Sequence, residues 1–280
     1  MGVLRKNQSG GGYPPLLAQL PGAPAELYFR GELKKDLFER CLAVVGSRHM
    51  SDYGKRVTER LVFEIAARGI TIVSGFMYGV DVTAHRTALA AGGRTIAVVA
   101  FGLKRSPLAY LSCLYQQIVS TGGLILSEYG GHEAPKKFMF PRRNRIIAGL
   151  CEAVLVIEAG SSSGSLITAG YAKQYGRKVM AVPGSIESRN SEGTLELIKE
   201  GATMARCTAD VLSCFGISRE LPAADSQDSL VRIIFEEPAT FEELAQKSKM
   251  DASLLGKKLS VLSLCGQIRE ESGRFYVNNG

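Results

Sequence analysis

Three short segments of this chain combine hydroxyls, backbone amides and guanidinium groups in ways that suit an anionic ligand. Gly46-Ser47-Arg48 sets a small residue, a hydroxyl and a cation directly after an apolar run. At a strand end, backbone amides and a guanidinium can jointly hold a phosphate. A second segment runs from Gly160 to Ser165 and leads into Leu166-Ile167-Thr168. A helix cap needs only one serine, so Ser163, Gly164 and Ser165 together, with Thr168 one turn on, read as an anion seat at the positive end of a helix. The third is Phe138-Met139-Phe140-Pro141-Arg142-Arg143-Asn144-Arg145. Pro141 suits a first helical turn, and Arg142 and Arg145, three apart, share a face while Arg143 points elsewhere. Cations at a helix start oppose its dipole, so either a bound anion or an internal carboxylate must sit among them. Phe138 and Phe140 are candidates to stack a base or to join the core.

Other constellations are missing or point away from catalysis. Ser74-Gly75-Phe76-Met77-Tyr78-Gly79-Val80-Asp81 precedes His85, but no Gly-x-Ser-x-Gly elbow is present, and Asp81 reads as a helix cap. Neither Gly-x-Gly-x-x-Gly nor a Walker A sequence follows the first strand, which leaves a dinucleotide or ATP without support. The six cysteines form no Cys-x-x-Cys pair and the three histidines lie far from them in sequence. No metal and no cofactor are expected. No stretch is long and apolar enough to span a bilayer, and a cytoplasmic protein with free thiols is the expectation.

The elements that must position these segments are legible from periodicity. Short Val- and Ile-rich runs at 42–46, 71–74, 95–100, 124–127, 153–158 and 179–182 alternate with amphipathic stretches at 54–68, 82–91, 108–121, 142–150 and 165–175. Such alternation predicts an α/β fold: a Rossmann-like, doubly wound parallel sheet covered on both faces. Ligands of such sheets bind beyond the carboxyl ends of the strands, where the candidate segments fall. The domain plan is a lead-in at 1–40, the Rossmann-like domain at 41–217, a linker at 218–228 and a small winged-helix domain at 229–280. That last domain follows from helical patterns at 229–236, 241–247 and 252–264 and a hairpin at 267–277 turning near Ser272-Gly273.

The chain has 280 residues, 45% hydrophobic and 22% charged, with a net charge of +7. From Asp225 to Gly280, nine acidic and seven basic residues give −2, so the remainder carries +9. A positive α/β domain favours an anionic polymer as partner. The weakly acidic tail, with only Lys257 and Lys258 as cations on its last helical stretch, fits a protein contact better than a DNA groove.

In order, Gly46-Ser47-Arg48, Ser74-Gly75 with Gly79-Val80-Asp81 and Ala84-His85, Ser127-Glu128-Tyr129, Phe140-Pro141 through Arg143-Asn144-Arg145 to Leu150, Ser163-Gly164-Ser165-Leu166-Ile167-Thr168-Ala169 and Val182-Pro183-Gly184 resemble the DNA-processing protein A (Smf) family. The resemblance covers the whole α/β domain, and Tyr13-Pro14-Pro15-Leu16-Leu17 with Leu27-Tyr28 and Gly31 looks like the family's lead-in. Met77, Ser106 and Leu195 depart from the family pattern. The amino-terminal helical domain of many members is missing, which marks the chain as a short form or a fragment. The resemblance implies an extended Rossmann fold and a homodimer that binds single-stranded DNA and helps load the RecA recombinase during natural transformation. The resemblance thus implies a mediator and not an enzyme. Carried over by position, Gly46, Ser47, Arg48, Arg143, Asn144, Arg145, Ser163, Gly164, Ser165 and Thr168 would contact the strand. Arg142, Lys137 and Lys173 join them on charge and placement. Replacing Arg48, Arg143 or Arg145 by Ala should weaken DNA binding with little loss of stability. The alternative is a nucleoside-monophosphate phosphoribohydrolase, similar in its Rossmann variant. Those enzymes carry a Pro-Gly-Gly-x-Gly-Thr loop and a nearby Glu, whereas this chain has Ser-Ser-Ser-Gly-Ser with Glu158 ahead of it.

Overall fold

The computed structural model describes residues 1–6, 12–217, 229–248, 250–264 and 268–277, so the predicted linker at 218–228 and Cys265 lie outside the described residues. Two compact units divide the chain, Met1–Ser218 and Arg219–Gly280.

In the first unit the elements follow one another as β1 (Gly2–Arg5), α1 (Pro15–Ala18), β2 (Glu26–Gly31), β3 (Cys41–Val45), α2 (Asp52–Ala67), β4 (Thr71–Ser74), α3 (Val80–Ala90), β5 (Thr95–Val98), α4 (Ser112–Ser120), β6 (Leu124–Ser127), α5 (Met139–Leu150), β7 (Ala153–Val156), α6 (Gly164–Gln174), β8 (Lys178–Ala181), α7 (Glu192–Lys199), β9 (Thr203–Met204) and α8 (Thr208–Leu212). They build a nine-stranded sheet in the order β1-β2-β6-β5-β4-β3-β7-β8-β9. The strands from β6 to β9 in that order are parallel, whereas β2 pairs antiparallel with both β6 and β1. The lead-in thus extends the sheet by two strands that periodicity did not reveal. Their alternation is weak because β2 is half-buried along most of its length.

The fold is mixed α/β, as the alternation predicts. Strands β3 and β7 are buried at every position, which their apolar runs require for a parallel sheet covered on both faces. Successive side chains alternate between faces: Cys41, Ala43 and Val45 pack toward Ile146, Ile147 and Ala169, while Leu42 and Val44 pack with Leu61, Val62, Ile65 and Ala84. Helices α5 and α6 therefore cover one face and α2 and α3 the other. Strand order reverses between β3 and β7, the place where such sheets leave a crevice.

Predicted boundaries shift where capping chemistry decides them. Helix α2 starts at Asp52 because Ser51 caps it, its hydroxyl accepting from the Gly54 amide at 3.1 Å. The cap of α3 is Gly79 at φ +85°, not Asp81, whose carboxylate sits in the first turn and accepts from the Met77 amide at 3.4 Å. The predicted helix at 108–121 is a 3₁₀ turn at Ala109–Leu111 followed by α4.

The second unit holds α9 (Ser229–Glu236), β10 (Ala239–Thr240), α10 (Phe241–Ser248), α11 (Ala252–Leu264), β11 (Ile268–Glu271) and β12 (Arg274–Val277). Its three strands form an antiparallel sheet in the order β10-β12-β11, and Leu230, Ile234, Leu244, Leu255, Leu259 and Phe275 make a separate core. Ser272 and Gly273 both have positive φ, 54° and 75°, as a two-residue hairpin turn demands. Among the described residues, no helix is long and apolar enough to cross a membrane, and no group of three or more His, Cys, Asp or Glu is placed to hold a metal ion.

Candidate nucleic-acid interface

A cleft of about 460 Å³ opens at the carboxyl ends of β3 and β7. It brings together nine of the thirteen residues singled out from sequence: Gly46, Ser47, Arg48, Arg143, Asn144, Ser163, Gly164, Ser165 and Thr168. These residues come from three separate loops and helices, and only the strand reversal places them side by side.

The loop after β3 forms one wall. The Ser47 amide donates to the Glu158 carbonyl at 2.8 Å and the Ser47 carbonyl accepts from the Val80 amide at 3.3 Å. This draws the loop against both β7 and the start of α3. Gly46 is required there, since a Cβ would lie 2.6 Å from Val80 Cγ2. Gly79 faces the same loop, and any side chain on it would fall on the Ser47 carbonyl. The Ser47 hydroxyl accepts from the His49 amide at 3.0 Å. Arg48 is exposed, with its guanidinium 5.3 Å over the Phe140 ring, and it pairs with no carboxylate among the described residues. A charged group held by an aromatic face instead of an anion stays available to one.

The loop after β7 and the start of α6 form the opposite wall. Ser163 is the N-cap; its hydroxyl lies 2.8 Å from that of Ser165 and accepts from the Ser165 amide at 3.4 Å. The first amides of α6 have no partners inside the helix, and with the dipole behind them they favour negative charge. Asn144 ties this wall to α5, its side-chain amide donating to the Gly164 carbonyl at 3.1 Å.

Arg143 is a buried strut between strands. Only 6% exposed, it donates to the Gly75 carbonyl at 2.6 Å, to the Val98 carbonyl and to the Asn144 side-chain oxygen at 3.2 Å. It thereby clamps the ends of β4 and β5. Burial lowers its pKa to about 10, the nearby Asp81 carboxylate opposing that fall. For Asp81 the balance is reversed: burial raises its pKa, and Arg143 holds it down. Gly75 lies between the two, and a Cβ there would collide with both side chains.

Four predicted contacts lie outside the cleft. Arg142 and Arg145 both bind Glu128 Oε1, at 3.0 and 2.5 Å, and Arg145 also donates to the Gly22 carbonyl. The carboxylate that relieves two cations at the start of α5 is thus internal. Lys173 pairs with Glu200 at 2.5 Å. Lys137 is exposed on the segment ahead of α5 without a carboxylate partner among the described residues. The expectation that each arginine can be removed at little cost changes accordingly. Arg143 and Arg145 satisfy buried or half-buried groups, and only Arg48 stands free.

Sequence reasoning missed His49, Met77, Asp81 and Asn190 as cleft residues. Asn190 arrives from the segment after β8, where its side chain donates to the His49 carbonyl at 2.9 Å and its carbonyl accepts from the Ala159 amide at 2.7 Å. Nothing in local sequence marks it. Asp81 carried a signal, a lone acid amid glycines and apolar residues, but its partner is 62 positions away. Glu158 does not line the cleft. It is 2% exposed and accepts from the Ser51 amide at 2.8 Å, facing a neighbouring hollow.

The model of the family described as DNA recombination-mediator protein A matches residues 7–216. The chain is 44% identical over 204 residues to the DNA processing protein DprA of Streptococcus pneumoniae, covering 72% of this chain and 71% of that one. It is 42% identical over 200 residues to Protein Smf of Escherichia coli, covering 71% of this chain and 53% of that one. The chain thus spans about half the length of the Escherichia coli relative. Among solved structures, that of DNA processing protein A from Streptococcus pneumoniae superposes with a TM-score of 0.69 at 42% identity, covering 76% of this chain and 73% of the other. The Helicobacter pylori DNA processing protein A, studied for its single-stranded DNA binding mode, superposes with a TM-score of 0.65 at 30% identity, covering 72% and 92%. With its α/β sheet, its cleft at the strand reversal and these relatives, the chain belongs to the DNA recombination-mediator protein A family.

Proposed function

We propose that this chain binds single-stranded DNA through the cleft at the β3–β7 crevice and acts as a recombination mediator that passes the strand to the RecA recombinase. The observation that carries this is the placement of an unpaired, exposed Arg48 opposite the serine-capped start of α6. That pairing holds a phosphate from two sides. An excess of nine positive charges outside the acidic tail supports a polyanion over a single nucleotide. The Helicobacter pylori relative, described for binding single-stranded DNA, supports a single strand over a duplex. In this reading the chain is a cytoplasmic homodimer that protects incoming DNA during natural transformation, and it is not an enzyme. Glu158 favours that last point: the acid that a phosphoribohydrolase would need is bonded to Ser51 and turned out of the cleft.

Fluorescence anisotropy with a labelled oligo-dT strand and the matching duplex, across a salt series, tests the proposal. The single strand should bind more tightly, and affinity should fall steeply with salt. In Arg48→Ala the slope of log affinity against log salt should shrink by about 0.7, the share of one phosphate on a single strand. Binding unchanged in Arg48→Ala would remove the cleft from the proposal. No binding at low salt would make release of free base from a nucleoside monophosphate the next assay.

A further inference from the structure

A second hollow, also about 460 Å³, lies beside the cleft at the carboxyl ends of β7 and β8. That volume is within the range of small-molecule sites. The hollow and the cleft are tied together by hydrogen bonds: the Ser47 amide of the cleft donates to the carbonyl of Glu158, which lines the hollow, and the Asn190 side chain donates to the His49 carbonyl. Ser51 and Ser191, which line the hollow, follow the cleft residues His49 and Asn190 by two positions and one.

The lining excludes one class of occupant and suits another. Glu158, 98% buried, lines the hollow, and its charge repels a phosphate. One of its oxygens takes the Ser51 amide and the other the Ser51 hydroxyl. A carboxylate oxygen with one donor retains capacity for another, so an N–H donor on the occupant would be welcome. Tyr53 and Pro183 supply apolar surface. Tyr53 is 39% exposed, and its hydroxyl donates to the Pro183 carbonyl at 2.7 Å, which fixes the ring where it stands. A stacking surface held in advance loses little rotamer freedom on binding. Ile186, 89% exposed on the loop between Pro183 and Ser191, adds apolar surface nearby. Such a lining suits an occupant that is flat, uncharged, apolar on its faces and equipped with an N–H donor on its edge.

We propose that this hollow is a nucleobase subsite, in which a base next to the phosphate held in the cleft stacks on Tyr53 and presents its donor edge to Glu158. The subsite rests on the single-strand reading of the cleft and extends it from phosphate to base. Its test compares a labelled oligo-dT strand with an abasic strand of the same length, at one salt concentration, for wild type, Tyr53→Ala, Tyr53→Leu and Arg48→Ala. Tyr53→Ala should weaken oligo-dT roughly 5- to 150-fold, the range for losing one base–aromatic stack, and leave the abasic strand unchanged. Tyr53→Leu, which refills the space without a ring, should show the same selective loss, and it carries the test if Tyr53→Ala does not fold. Arg48→Ala should weaken both strands. Wild-type binding of oligo-dT by the Tyr53 variants, or an equal loss on both strands, would overturn the subsite. Unchanged binding of both strands by Arg48→Ala would instead overturn the cleft reading.

Discussion

Replacing Arg143 by alanine should unfold the first unit at markedly lower temperature. The guanidinium donates three hydrogen bonds, to Gly75, Val98 and Asn144, in a site where the residue is 6% exposed. Hydrogen bonds made by a charged group contribute about 1.5–3 kcal/mol each, but they share one side chain and do not add. Leaving the buried Gly75 and Val98 carbonyls without a donor costs about 1–3 kcal/mol each, and about 3–5 kcal/mol for the two together is the figure we adopt. For a unit of this size each kcal/mol lowers Tm by about 2–4 °C, so the expected drop is roughly 6–20 °C by calorimetry near neutral pH. The deficit should also depend on pH. The Asp81 pKa is already raised by burial, with Arg143 opposing the rise. A carboxyl with a raised folded pKa stabilises the fold at acid pH and loses that contribution as pH climbs through the folded value. Without Arg143 the pKa rises further, so the variant should fall further behind wild type as pH increases from 4 to 7. A loss under about 1 kcal/mol at pH 7, or a deficit that shrinks with rising pH, would refute the strut assigned to Arg143.

Arg48→Ala, in contrast, should leave Tm within about 4 °C of wild type, because an exposed cation–π contact contributes only about 0.5–1 kcal/mol; a larger drop would mean that Arg48 is structural. Gly75→Ala should destabilise the unit and weaken strand binding together, since the added Cβ falls between Asp81 and Arg143; chemical denaturation read beside anisotropy checks this. His85 is fully buried with its pKa lowered to about 3, chiefly by desolvation. Its contribution is therefore present above the ordinary value near 6.5 and drains as pH falls toward 3, by up to about 1.4 kcal/mol per pH unit. His85→Gln should flatten the acid limb of a stability–pH curve.

Sequence patterning located the parallel strands β3 to β8 to within about two residues, because a strand buried on both faces must be apolar at every position, as at Ala153–Val156; it missed the parallel edge strand β9, whose two residues are exposed. It also marked three segments as candidates for an anion, two of which, Gly46–Arg48 and Ser163–Thr168, line opposite walls of the cleft. It did not reveal β1 and β2, whose half-buried residues lack a sharp period. Nor did it say what each arginine of α5 meets, although helical spacing set Arg143 on a different face from Arg142 and Arg145. All three are singled out from sequence as contacts for a strand, yet one is a buried strut and two share Glu128. The difference comes from partners as far as 123 positions away. Residue types and spacing therefore determined that this chain would make a parallel sheet with glycine-, serine- and arginine-rich loops at its carboxyl edge. Which cations stay free for a ligand was decided only by tertiary structure, because the carboxylates and carbonyls that claim the others come within reach only when the strands assemble.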